Sequence, residues 1–236
     1  MNNKKIKSNK RPFFRFVKSI VKIFKKKPKF IIKEEITQKP SIYIANHAAS
    51  YGPTTYELYL PTNFQMMGAH PMCGTLKQRW KYLYQVYFYQ KRKVPKWLSS
   101  ILATLVVPFM VGFYKGMQIV PIYNGMKFKK TIELSIEILN KNISLLIFPE
   151  DSSDGYHEKL IKFFGGFWMI AKEYHHQTGK DIDLIPMYYH KKLGKMIIDK
   201  PYSYLELSLK LTDNKLAADF FLDKVNNLLD EIKSTY

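Results

Sequence analysis

Two stretches decide how this chain folds: Ser41-Ile42-Tyr43-Ile44-Ala45-Asn46-His47 (SIYIANH, 41–47) and Ile143-Ser144-Leu145-Leu146-Ile147-Phe148-Pro149-Glu150 (ISLLIFPE, 143–150). Each is a short, β-rich apolar run that stops abruptly at polar residues. Such runs read as strands, which puts Asn46 and His47 on the loop that follows the first and Pro149-Glu150 after the second. Pro53, suited to the first turn of a helix, predicts that a helix opens just after Asn46-His47. A further strand is expected at 118–122 (QIVPI), a helix over 128–140, and a strand over 183–189. A hairpin through 191–194 and a closing helix from Asp213 complete the pattern, with Leu216, Phe220, Val225, Leu228, Leu229 and Ile232 on one face of that helix. The β–α–β alternation predicts an α/β fold, a mixed sheet flanked by helices.

At 236 residues the chain suits one core domain. The reading divides it into a basic amphipathic segment (1–33), a main domain (34–212) and a carboxyl-terminal helix packed on it (213–236). Thirteen of the first 33 residues are Lys or Arg and none is acidic, within a chain of formal charge +19. From Pro12, Phe13, Phe16, Val17, Ile20, Val21 and Phe24 recur at helical spacing with Arg15, Lys18, Lys22 and Lys25 largely opposite, and Pro28 ends the pattern. That pattern predicts a helix lying in the interface of an anionic membrane, its rings among acyl chains and its lysines at head groups. Lysines interrupt any signal-peptide core. The single cysteine, Cys73, excludes an intrachain disulfide framework and fits a reducing compartment.

Residues 97–114 (WLSSILATLVVPFMVGFY) carry no charge. Their length approaches a bilayer span, but strands of one sheet flank them, so the expectation is a buried or interfacial hairpin. Upstream, Arg79, Trp80, Lys81, Tyr82, Tyr84, Tyr87, Phe88 and Tyr89 interleave bases with aromatics. With no nucleic-acid module elsewhere, a membrane interface or ordinary packing is the preferred reading, and no nucleic-acid partner is expected.

A histidine on a loop after a strand can act as a general base if a neighbour orients its ring. The company of His47 gives it weight: NHAASYG (46–52), VPIYNG (120–125), FPEDSSD (148–154), then Phe163, Gly166 and Ala171, and finally LIPMYY (184–189). In order and spacing these blocks resemble those of the glycerol-3-phosphate and lysophosphatidic acid acyltransferases, written N-H-x-x-x-x-D, I-P-V-D-R, F-P-E-G-T-R-S and V-P-V. The resemblance covers residues 40–190. It implies a bacterial-type enzyme of phospholipid synthesis at the cytoplasmic face of the membrane. It would take an acyl group from acyl-CoA or acyl carrier protein to a hydroxyl of a lysophospholipid or related lipid, with no bound cofactor and no metal.

On that resemblance the catalytic residues are His47 as base, with Asn46 and Glu150. Gly52, Asn124, Phe148, Pro149, Ser152, Ser153 and Gly166 fall at substrate-binding positions. Two departures stand out. Gly52 occupies the place of the aspartate that orients the base, and loss of such a carboxylate from a catalytic triad costs roughly 10⁴ in rate. Glu57, Asp151 and Asp154 are the candidates to replace it. Asn124 and Ser153 occupy places where the related blocks carry arginines, which suit phosphate through bidentate bonds. Lys127, Lys129 and Lys130 could supply that charge instead, or the acceptor has a different head group. The alternative to an enzyme is a catalytically degenerate relative that binds lipid or membrane without transfer.

Overall fold

Strand β2, Ser41–Ala45, is buried along its whole length near the middle of an eight-stranded sheet. The structure, a computed structural model, describes residues 12–36, 39–49 and 51–234. Residues 1–11 of the basic segment and 235–236 of the closing helix lie outside them. Along the chain the elements are α1 (Pro12–Phe24), β1 (Lys29–Ile32), β2, α2 (Tyr51–Tyr59), β3 (Phe64–Ala69), α3 (His70–Cys73) and α4 (Leu76–Lys81). A π-helix (Tyr82–Lys91), α5 (Lys96–Met117), β4 (Val120–Ile122), a 3₁₀ turn (Gly125–Lys127), α6 (Phe128–Asn140) and β5 (Ser144–Ile147) follow. The chain ends with α7 (Gly166–Thr178), β6 (Asp183–His190), β7 (Lys195–Ile198), β8 (Tyr202–Ser203), α8 (Tyr204–Ser208) and α9 (Asn214–Ser234).

The strand order is β1-β7-β6-β2-β5-β3-β4, with β8 on β6. Strands β6, β2, β5, β3 and β4 are parallel, whereas β7 and β8 run antiparallel to β6. The fold class is therefore the mixed α/β sheet expected. Side chains alternate across it with the period of two that a strand imposes. Ile42, Ile44, Leu145 and Ile147 join the core under α6, α7 and α9, while Tyr43, Ala45, Met66 and Leu146 face α1, α2 and α5. Covering both faces explains why the two diagnostic strands are apolar throughout.

Helix α9 starts at Asp213, whose Oδ1 accepts from the Leu216 amide at 2.8 Å, and it buries Val225, Leu228, Leu229 and Ile232. Its Asn226 clamps Leu160 by accepting from the amide and donating to the carbonyl, at 2.9 and 3.0 Å. Leu216, assigned to the same apolar face, is exposed.

The uncharged stretch 97–114 corrects its sequence reading: it lies in the continuous helix α5 rather than a hairpin. Proline within a helix removes one backbone bond and usually bends or breaks it. Here packing on both sides of Pro108 holds the helix. Ala103 and Val107 bury against Leu83 of the π-helix, and Phe113 and Met117 enter the core beneath the sheet. Trp80, Tyr84, Tyr87 and Phe88 pack on the same small cluster, so these aromatics join two helices. Among the described residues no helix is long and apolar enough to cross a membrane.

Helix α1 rests on α5 through Phe14, which is buried and meets the Phe113 ring edge-on at 5.1 Å. A Cβ on Gly116 would lie 2.5 Å from that of Phe14, so only glycine allows the two helices to approach this closely. Lys18 also reaches the buried Glu57 of α2 at 3.2 Å. The apolar positions of α1 divide. Val17 and Val21 are half-buried beside Phe14, whereas Phe13, Phe16, Ile20, Ile23 and Phe24 are 42–83% exposed.

Candidate active site

Parallel strands in register deliver their following loops to one edge of the sheet, where open α/β folds place their sites. Ile44 of β2 pairs with Ile147 of β5, so Asn46-His47 and Phe148-Pro149-Glu150 emerge side by side. Asn46 is buried and locks the first loop. Its Nδ2 donates to the Tyr189 carbonyl at 3.1 Å, and its Oδ1 accepts from the Tyr189 amide and the Tyr56 hydroxyl, each at 2.8 Å. The second loop is pinned by an antiparallel bridge between Glu150 and Phe163, and by the Phe164 amide donating to the Pro149 carbonyl at 2.8 Å.

The Glu150 carboxylate spans the two loops. Its Oε2 accepts from the His47 backbone amide at 2.9 Å. The contact is to the main chain of His47 and fixes the loop. The imidazole itself is held by rings: Phe148 meets it edge-on at 5.0 Å and Tyr156 stacks on it at 4.8 Å. Its Nδ1 is buried with no hydrogen-bond partner among the described residues.

Burial, and secondarily Lys91, push the His47 pKa down to about 4, so the ring is neutral at neutral pH. Burial pushes Glu150 up to about 7, with its bond to the His47 amide and the charge of Lys91 opposing that rise. Lys91, last residue of the π-helix, donates to Ser152 Oγ at 2.9 Å and to the Tyr156 hydroxyl at 3.0 Å.

The carboxylates considered in place of Gly52 point to other partners or to solvent. Glu57 faces away, toward Lys18 of α1. Asp151 accepts from the Ser153 amide and pairs with Lys162, each at 3.2 Å, and Asp154 is exposed. Position 52 itself has no room for a side chain. A Cβ there would sit 2.3 Å from the His47 carbonyl oxygen, because the loop closes tightly onto α2. Ala48 and Ala49 make that closure with φ of 43° and 55°, a left-handed conformation costing about 1–2 kcal/mol per non-glycine residue.

The remaining positions scatter. Asn124 and Ser153 are exposed, and Gly166 lies where a Cβ would meet the Phe128 ring at 2.9 Å, in the contact between α7 and α6. Lys127, Lys129 and Lys130 line a separate cavity of about 540 Å³ with His70, Tyr123, Met126 and Glu133. Sequence reasoning did not find Lys91, Tyr156 or the anchoring Tyr56. Each is one aromatic or basic residue among many, and no periodicity marks it.

No protein family matches the sequence, and no curated protein is similar to it. Similarity appears in three dimensions, to the crystal structure of the 1-acyl-sn-glycerophosphate (LPA) acyltransferase PlsC from Thermotoga maritima. The TM-score is 0.55 at 12% identity, over 94% of this chain and 82% of that one. The chain shares the fold of that protein. The four sequence blocks occupy or follow β2, β4, β5 and β6, parallel strands whose carboxyl ends lie along the same edge of the sheet.

Proposed function

We propose that the protein is a membrane-associated O-acyltransferase that moves an acyl group from a thioester donor to a hydroxyl of a lysophospholipid or related lipid. The observation that carries this reading is the pairing of His47 with Glu150 across adjacent loops of an acyltransferase fold. A neutral imidazole can accept the proton of the acceptor hydroxyl as its oxygen attacks the thioester carbonyl. The tetrahedral intermediate then collapses, the carbon–sulfur bond breaks, and the proton passes from His47 to the departing thiolate. Acyl-CoA and acyl carrier protein both supply such a thioester. Glu150 holds the loop and, once ionised, places a negative charge near the imidazolium. Lys91 raises the cost of that imidazolium.

The exposed face of α1 supports docking on an anionic bilayer at the cytoplasmic side. Phe13, Phe16, Ile20, Ile23 and Phe24 project from it, with Trp97, Ile101 and Leu105 exposed along neighbouring α5. Flanking lysines suit anionic head groups, at about 1 kcal/mol per basic residue.

A second reading has its own observation. The orphaned Nδ1 and the closed contact at Gly52 favour a lipid-binding protein without transfer. Acyl transfer by purified protein from labelled acyl-CoA or acyl carrier protein, to a panel of lysolipids and neutral acceptors, separates the two. We expect product from the wild type and a loss of at least about 100-fold in His47→Ala, the scale of one general base. Absence of product with every pair, alongside intact vesicle binding, would establish the second reading.

A further inference from the structure

Cations gather beside the His47 loop from parts of the chain outside the four sequence blocks. Lys25 follows α1, Lys91 closes the π-helix, Arg92 succeeds it, and Lys191 opens the turn after β6. Two tyrosines organise them. On one side Tyr51, exposed at the start of α2, has Lys191 Nζ 3.3 Å and Lys25 Nζ 5.2 Å from its ring centroid. On the other, Lys91 Nζ lies 4.7 Å over the Tyr156 ring that stacks on His47. Arg92 stands near both, since its charge acts on the hydroxyls of Tyr51 and Tyr156 alike.

Some lysines of the chain are neutralised by carboxylates, as Lys18 is by Glu57, Lys33 by Asp199 and Lys162 by Asp151. Among the described residues Lys25, Lys91 and Lys191 have no such ion pair. Like charges brought together without an anion repel, and clefts lined by one sign of charge concentrate the opposite sign. Burial, together with Lys191, depresses the Lys25 ammonium, which an arriving anion would reverse. Asn124 and Ser153, by contrast, put no charge near the cleft.

We infer that Lys25, Lys91, Arg92 and Lys191 bind a phosphate group of the substrate beside the His47 loop. The word substrate rests on the acyltransferase reading, while the binding of phosphate does not. The rival location is the cavity holding Lys127, Lys129 and Lys130. It follows β3 and β4, two and three positions along the sheet from β2, so at about 4.8 Å per strand it sits roughly 10–14 Å from the histidine loop. It also contains the carboxylate of Glu133.

Calorimetric titration of the full chain tests this without turnover. The probes are lysophosphatidic acid below its micellar concentration, monoacylglycerol of the same chain length, coenzyme A, and pantetheine. Wild type binds at least one phosphate-bearing probe at least about tenfold more tightly than its phosphate-free counterpart. Lys91→Gln and Lys191→Gln each weaken that probe about tenfold, the scale of one charge-assisted contact. Lys191→Arg retains binding, and circular dichroism shows all variants folded. Weakening confined to lysophosphatidic acid assigns the rim to the acceptor head group; weakening confined to coenzyme A assigns it to the donor. Loss of binding in Lys127→Gln/Lys130→Gln but not in the rim variants overturns the inference. So does equal affinity for matched probes with and without phosphate, or no binding by wild type. Phosphate binding that depends on the rim, in a protein that transfers no acyl group, would sink the acyltransferase reading and leave this one standing.

Discussion

Gly52 shows how one residue can change both chemistry and backbone. Read in the sequence it is a missing aspartate, and the natural repair is Gly52→Asp. The loop argues against that repair, because the new Cβ would meet the His47 carbonyl oxygen at 2.3 Å and neither backbone partner can swing aside. We expect Gly52→Asp to lower stability by at least about 2 kcal/mol, as overpacking against fixed atoms does, and to produce no gain in acyl transfer. Urea unfolding with the transfer assay measures both, and an active, stable Gly52→Asp would show that the loop opens readily. Residue types at 46, 47, 148, 149 and 150 were legible as a candidate site because short apolar strands precede them. The partners of those residues were not. Glu57 was a reasonable candidate for the His47 ring on separation alone, yet its helix turns it toward Lys18.

At the scale of elements, α1 separates two uses of apolar side chains. Phe14 stabilises the fold, whereas Phe16, Ile23 and Phe24 are exposed and cost little to change there. We therefore expect Phe16→Asp/Ile23→Asp/Phe24→Asp to remain folded and to lose co-sedimentation with vesicles containing anionic lipid. Phe14→Ala should instead destabilise by about 3–5 kcal/mol, the usual cost of emptying a buried phenylalanine site. Vesicle binding unaffected by the triple substitution would rule out α1 as the docking element. The helix was legible in its 3.6-residue spacing, but which flank faces the protein was not, since both flanks are apolar. Helix α5 failed differently. The flanking strands of one sheet suggested a hairpin, and contacts on both sides of Pro108 kept the segment helical.

For the molecule as a whole, two buried ionisable groups pull stability in opposite directions with pH. The Glu150 carboxyl, normally near 4.5, is raised to about 7. Its contribution is fully present below the unfolded value and is lost as pH rises through the folded one. His47, normally near 6.5, is lowered to about 4, so its contribution is present above 6.5 and lost as pH falls toward 4. Glu150→Gln preserves an acceptor for the His47 amide and removes only the first effect. We expect it to stabilise the protein at pH 8 by roughly 3 kcal/mol relative to its effect at pH 4, from about 1.4 kcal/mol per pKa unit. Chemical unfolding of both proteins across that range checks it, and parallel curves would mean that Glu150 is not held in a desolvated site.

The sequence by itself determined the α/β class, the strands that bear His47 and Glu150, the closing helix and the amphipathic character of α1. These follow from local periodicity and from apolar runs ending at polar residues, which need no knowledge of distant partners. Tertiary structure decided that Gly52 is a steric necessity, that Nδ1 of His47 stands without a partner among the described residues, and that Tyr156, held by Lys91, stacks on the ring. It also brought Lys25 and Lys191 to the ring of Tyr51. Those facts depend on which side chains meet across the sheet edge. Neither spacing nor composition encodes such meetings, because each contact joins residues whose separation along the chain carries no period.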